Sequence, residues 1–385
     1  MSIYLDNAAT TKVDPLVMES MLPFLSGTYG NPSSIHSFGR ESKAAIEKSR
    51  KKVAELLNTS PSSIFFTSGG TEADNFAIVR SIQQFKIKKA ITSPLEHHAV
   101  LHTLEYLSKI GEIELELLET DQNGNLNLDQ LSKSLDTNTP TFVSLMHGNN
   151  EIGTMYPVHE IAEIVKAKNG IFHSDTVQTV GHFKHDLSKW KTDFMVGAGH
   201  KFHGPKGVGF LYVSSDVKIM PLIHGGAQER NMRGGTENIS GIVGLATALE
   251  LAHSEMDAHR IHIEGLKTLM IRRLSEEIHD VKFNGESGNL EKSLYTVLNV
   301  SLPASESNEM LIFNLDINKI CASGGSACSS GSELGSHVLK GIKADPLRGA
   351  VRFSFGKFNT SEEIELAVQV LAKMYARKEV VFQPG

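Results

Sequence analysis

Three short segments hold residues whose types and spacing suit one kind of chemistry. Ser68-Gly69-Gly70-Thr71-Glu72-Ala73-Asp74-Asn75 follows an expected strand and opens an expected helix. Glycines there let backbone N–H groups approach an anion at the positive end of a helix, and Thr71 adds a hydroxyl. The glycine spacing fits neither a P-loop nor a dinucleotide fingerprint, so a phosphate without a nucleotide suits it better. A plain tight turn with a helix cap would use the same residues. Downstream, Gly197-Ala198-Gly199-His200-Lys201 puts a lysine in a Gly-rich turn just past an apolar strand. That is the carboxyl edge of a sheet, where α/β ligand sites form, and a desolvated lysine there can become a Schiff-base nucleophile. Phe172-His173-Ser174-Asp175 ends another expected strand with an acid. Such an acid either caps a helix or keeps the ring nitrogen of a pyridine cofactor protonated as an electron sink. Phosphate cup, pyridinium partner and lysine together meet the needs of pyridoxal phosphate.

The chain has two cysteines, Cys321 and Cys328. Cys321 follows Ile320 at the end of an expected strand and reads as a packed, inert thiol. Cys328 lies in Ala322 to Ser332, among three glycines and five serines. That composition suits a mobile loop that reaches solvent, and nothing nearby in sequence could bury the thiol. Spaced histidine pairs (His182 and His185, His200 and His203, His259 and His262) lack a carboxylate or thiolate that would complete a four-ligand set, so no metal site is expected.

These residues need a scaffold. From about residue 60 to 215, short β-rich runs alternate with helical stretches, which implies βαβ units and a mostly parallel sheet with helices on both faces. Expected strands are 63–68, 89–93, 113–118, 141–146, 171–174, 193–197 and 207–213, with helices at 71–83, 97–109 and 158–167. After about residue 255, long helical patterns (262–278 and 361–375) enclose strands at 296–301, 319–322 and 351–355. The expected division is therefore a large cofactor-binding domain over 1–255 and a smaller α+β domain over 256–385. The first forty residues, with several Gly and Pro, should form an arm on the second domain.

Composition narrows the function classes. The 385 residues are 40% hydrophobic and 21% charged, with net charge −6, which argues against coating nucleic acid or an anionic membrane. No run approaches a membrane span. The first residues lack the pattern of a signal peptide, and two lone thiols suit a reducing compartment, so a cytoplasmic location is expected.

The sequence resembles the cysteine desulfurases of the NifS/IscS-like branch, fold-type I pyridoxal-phosphate enzymes of the class V aminotransferase group. The resemblance runs from Tyr4-Leu5-Asp6-Asn7-Ala8-Ala9 to Arg352-Phe353-Ser354-Phe355-Gly356, through Gly30-Asn31-Pro32, Leu95-Glu96-His97-His98, Asn149-Asn150-Glu151 and Arg233-Gly234-Gly235-Thr236. It implies that Lys201 carries the cofactor, Asp175 pairs with its ring nitrogen and Gln178 contacts its phenolic oxygen. His97 would stack on the ring and move protons, while its neighbour His98 does not hold that position. Gly70, Thr71 and His200 would contact the phosphate, joined by Thr236 from the other subunit of a homodimer. Asn150 would touch cofactor and substrate, and Asn31 and Arg352 would hold the substrate carboxylate. A guanidinium fork suits that task.

The segment around Cys328 is similar to the family loop whose cysteine takes sulfur from L-cysteine as a persulfide, leaving alanine. That sulfur would pass to an acceptor protein such as an iron–sulfur scaffold or a tRNA-thiolation protein, and the resemblance allows Cys328 to ligate a cluster transiently. Two departures stand out: Ala198 and Val196 occupy positions where the family usually has serine, so the phosphate cup has one hydroxyl fewer. The rival readings are another aminotransferase or lyase of the same fold, or a non-enzymatic sulfur scaffold.

Overall fold

The computed structural model describes residues 2–135, 140–324 and 335–376. Its main sheet has seven strands, in spatial order Ile64–Thr67, Gly209–Val213, Phe194–Ala198, Ile171–Asp175, Thr141–Ser144, Lys89–Thr92 and Glu114–Leu117. Gly209–Val213 runs antiparallel to both its neighbours, and all other adjacent pairs are parallel. The α/β class and mostly parallel sheet expected from the sequence are present.

Successive residues of one strand serve opposite layers, as the pleat requires. Phe142 packs with Phe76, Ala77 and Leu104 from the helices Gly70–Phe85 and His98–Lys109. Its neighbour Val143 packs with Ile161 and Val165 from Val158–Ala167 on the other side. A parallel sheet covered on both faces is the usual solution for strands this apolar. The turns at the strand ends are therefore held by a rigid, buried frame.

Two long helices were not anticipated from the sequence. Ser37–Leu56 is locked to the sheet region by Arg50, whose Nη1 and Nη2 donate to Glu229 at 2.7 and 2.9 Å. Ile239–Ser254 buries residues around most of its circumference, so it carries little periodic signal. The helix expected from residue 262 begins earlier, as Met256–Glu277. It packs with Ser361–Tyr375 over a second, antiparallel sheet ordered Arg348–Ser354, Val297–Ala304, Lys282–Phe283. At the start of Ser361–Tyr375, Thr360 and Glu363 form a reciprocal capping box.

The N-terminal residues join both regions. Ile3–Tyr4 pairs in parallel with Ile320–Cys321, whereas the helix Pro15–Met21 inserts Val17 among Ile242, Leu245 and Ala246. Among the described residues no helix is long and apolar enough to cross a membrane.

Candidate functional site

Asp175 ends the strand Ile171–Asp175, Ala198 ends its parallel neighbour Phe194–Ala198, and Gly70 opens the helix after Ile64–Thr67. Strand direction alone therefore gathers these turns at one sheet edge, the usual place for an α/β ligand site. They open on a cavity of about 180 Å³. Gly70, Thr71, His97, Asn150, Asp175, Gln178, His200, Lys201 and Arg352 all line it.

Lys201 follows Gly199 and His200 in a single 3₁₀ turn, and its Nζ donates to the carbonyl oxygens of Ala8 and Ala9 at 2.5 and 3.0 Å. Asp175 is anchored by the Val177 N–H, which donates to Oδ1 at 2.9 Å. Gln178 Nε2 donates to Ala8 O at 3.1 Å. His97 caps the helix His98–Lys109, its Nδ1 accepting from the Ala99 N–H at 3.2 Å. In the neutral ring the proton is then on Nε2. Burial lowers the proton affinity of His97 while Asp175 opposes that shift, and the net direction is down. His200 Nδ1 lies 3.2 Å from Thr10 Oγ1, and burial, then Lys201 and Lys206, bring its pKa to about 4. A neutral His200 acts on an anion as a hydrogen-bond donor and not as a charge.

The residues present fit pyridoxal phosphate. At one end, the helix Gly70–Phe85 offers its first N–H groups beside Thr71 and His200, which suits a phosphate. A Cβ on Gly70 would come within 2.9 Å of Val177 Cγ2, so the floor there closes on glycine alone. The carboxylate of Asp175 and the amine of Lys201 open on the same space. Ala198 also lines the cavity and gives that wall no hydroxyl.

Two expected site residues lie apart from this cavity. Asn31 is exposed, and its Oδ1 accepts from the Ser33 N–H of its own turn at 2.9 Å. Thr236 lines a separate cavity of about 150 Å³ with Arg233, Glu229 and Gly207. Cys328 lies outside the described residues.

Several cavity residues had no role in the sequence reading. Asp74 is buried, and one ligating atom each of Asp74, His97 and Asp175 lie within 4.8 Å of one another. Burial first, then Asp175 and Glu96, push the Asp74 carboxyl well above the usual carboxylate range. The motif containing Asp74 was read for its glycines, and nothing in spacing pairs position 74 with 175. His98, set aside on position, also lines the cavity, with Nε2 3.1 Å from His337 Nδ1. Of the histidine pairs, His182, His203 and His259 gather around a small cavity with Asp14 and Lys357.

Comparison with known proteins agrees with this geometry. Residues 3–366 match the family model described as aminotransferase class-V. A cysteine desulfurase IscS from Dictyoglomus turgidum is 42% identical over 98% of this chain and 96% of its own. A solved NifS-like protein superposes with a TM-score of 0.89 at 39% identity, covering 97% of this chain and 99% of that one. A structure described as SspA in complex with cysteine gives 0.80 at 30% identity, covering 93% of this chain and 100% of that one. The chain belongs to the class-V aminotransferase family and, within it, to the pyridoxal-phosphate-dependent cysteine desulfurases.

Proposed function

We propose that this desulfurase acts on L-cysteine in the cavity at the sheet edge, with the following division of labour. The observation that carries the reading is the convergence of Lys201, Asp175, His97 and Arg352 on one space of about 180 Å³. Bound pyridoxal phosphate supplies an electron sink that makes the substrate Cα proton acidic and weakens the Cβ–S bond. Lys201 would hold the cofactor, and its amine would take the substrate Cα proton. Asp175 keeps the ring nitrogen protonated. Gly70, Thr71 and His200 would hold the phosphate, Gln178 would contact the phenolic oxygen, and Asn150 would touch cofactor and substrate. His97 would lie against the cofactor and, neutral with its proton on Nε2, would move a proton to or from substrate.

Arg352 receives the α-carboxylate. Its guanidinium lies in the wall of the cavity, and its Nε–H has no hydrogen-bond partner among the described residues. Asn31 is assigned to the same carboxylate by resemblance. Cys328, as thiolate, attacks the substrate sulfur, forming an S–S bond as Cβ–S breaks. That electron pair stays with the carbon skeleton, which leaves as alanine after protonation. The Cys328 persulfide then passes sulfur to an acceptor protein, an iron–sulfur scaffold or a tRNA-thiolation protein.

The active unit is a homodimer in this reading. Thr236 faces a different cavity of its own chain, which suits a phosphate contact across a two-fold axis. Leu16, Met18, Leu22, Leu25, Tyr29 and Ile35 are exposed in one stretch of sequence and need a cover of that kind. The division at residue 255 falls between Ile239–Ser254 and Met256–Glu277, with 1–255 carrying the cofactor and 256–385 carrying Cys328. A cytoplasmic location completes the reading, on the two lone thiols.

Lys201→Ala tests the assignment. The visible absorbance of covalently bound cofactor and all alanine production should disappear. Alanine release near the wild-type rate would show that another group carries the cofactor.

A further inference from the structure

Arg352, on the strand Arg348–Ser354, is 1% exposed, and a buried guanidinium needs a compensating partner. Asp6 supplies it, with Oδ1 accepting from Nη2 at 2.7 Å, while Asn150 O accepts from Nη1 at 3.0 Å. Two fixed acceptors on different elements hold the guanidinium plane in place. A carboxylate arriving at the remaining N–H groups then meets a fork already oriented, so little side-chain entropy is lost on binding.

The same Asp6 Oδ1 also accepts from Ser323 Oγ at 2.8 Å. Ser323 and Arg352 exchange two backbone hydrogen bonds, at 3.2 and 2.7 Å. One carboxylate oxygen therefore joins the N-terminal arm to Arg352 and to Ser323.

Resting on the reading of Arg352 given above, we propose that Asp6 is a positioning residue for substrate. It aims Arg352 at the α-carboxylate.

The test compares L-cysteine with cysteamine, which has the same amine and thiol but no carboxylate. Each is titrated into holoenzyme while the cofactor absorbance is followed. Wild type should prefer cysteine, and Arg352→Ala should lose that preference. Asp6→Asn should lower the preference about tenfold or more, the scale of one charge-assisted hydrogen bond, with cysteamine affinity and the resting cofactor band unchanged. Asp6→Glu, which keeps the charge one methylene out of place, should fall between. Preference retained in Arg352→Ala overturns the carboxylate reading and this inference with it. Preference lost in Arg352→Ala but kept in Asp6→Asn overturns the inference alone.

Discussion

Gln178 and Lys201 donate to the same carbonyl oxygen, that of Ala8, at 3.1 and 2.5 Å. The two side chains come from different turns of the main sheet, and the shared acceptor belongs to the N-terminal arm. The arm thus forms one wall of the cavity and holds the amine at its edge. Ala8 and Ala9 line the cavity and Asp6 accepts from Arg352, which gives the opening Tyr4-Leu5-Asp6-Asn7-Ala8-Ala9 segment a physical role: it braces Lys201, Gln178 and Arg352 together.

Ala198 offers a gain-of-function test of the phosphate cup. It lines the cavity at the end of Phe194–Ala198, where a hydroxyl would add a donor beside Thr71 and His200. Ala198→Ser should retain cofactor more tightly, by about tenfold if the new hydroxyl bonds the phosphate. Cofactor remaining after exhaustive dialysis gives the measurement. Unchanged retention would place the phosphate away from position 198.

What was legible follows from which signals are local. Asp175, Lys201 and Gly70 each sit at a strand end or in the turn beyond it, so sheet direction alone predicts that they meet. The strands containing Phe65, Phe142, Phe172 and Phe194 announce themselves as short apolar runs. Ser37–Leu56 was passed over because its buried positions include Ser42, Ser49 and Arg50, polar residues that interrupt the apolar stripe, and the Arg50 charge is met in part by the distant Glu229. Asp74 and Asp6 were missed for a related reason. Their partners lie roughly one hundred and more than three hundred residues away, at Asp175 and Arg352, and no local pattern encodes such pairings.

Lys267 predicts a pH-dependent stability. It is buried, with Nζ donating to Ser293 Oγ at 2.7 Å and Leu294 O at 2.8 Å, and desolvation lowers its pKa to about 7. The unfolded chain holds that proton up to its ordinary pKa near 10.5, so it binds more protons than the native state between the two values. Stability from this group therefore rises with pH across that window, and its penalty is full below about 7. Lys267→Met removes the titration. The Tm of the variant minus that of wild type should be larger at pH 7 than at pH 9.5, and a difference independent of pH would contradict the account.

The central claim, sulfur transfer through Cys328, is tested most directly by comparing its serine variant with that of Cys321. Cys321 lies on the strand Ile320–Cys321, and burial, then Asp316 and Asp6, raise its thiol pKa, which makes it a poor nucleophile. Cys328→Ser leaves Lys201 and Asp175 untouched, so cysteine should still bind and change the cofactor absorbance. The measurement is alanine release together with persulfide labelling, cysteine being the substrate. The account predicts both fall by orders of magnitude in Cys328→Ser and stay near wild type in Cys321→Ser. Full activity in Cys328→Ser, or equal losses in the two variants, would contradict it.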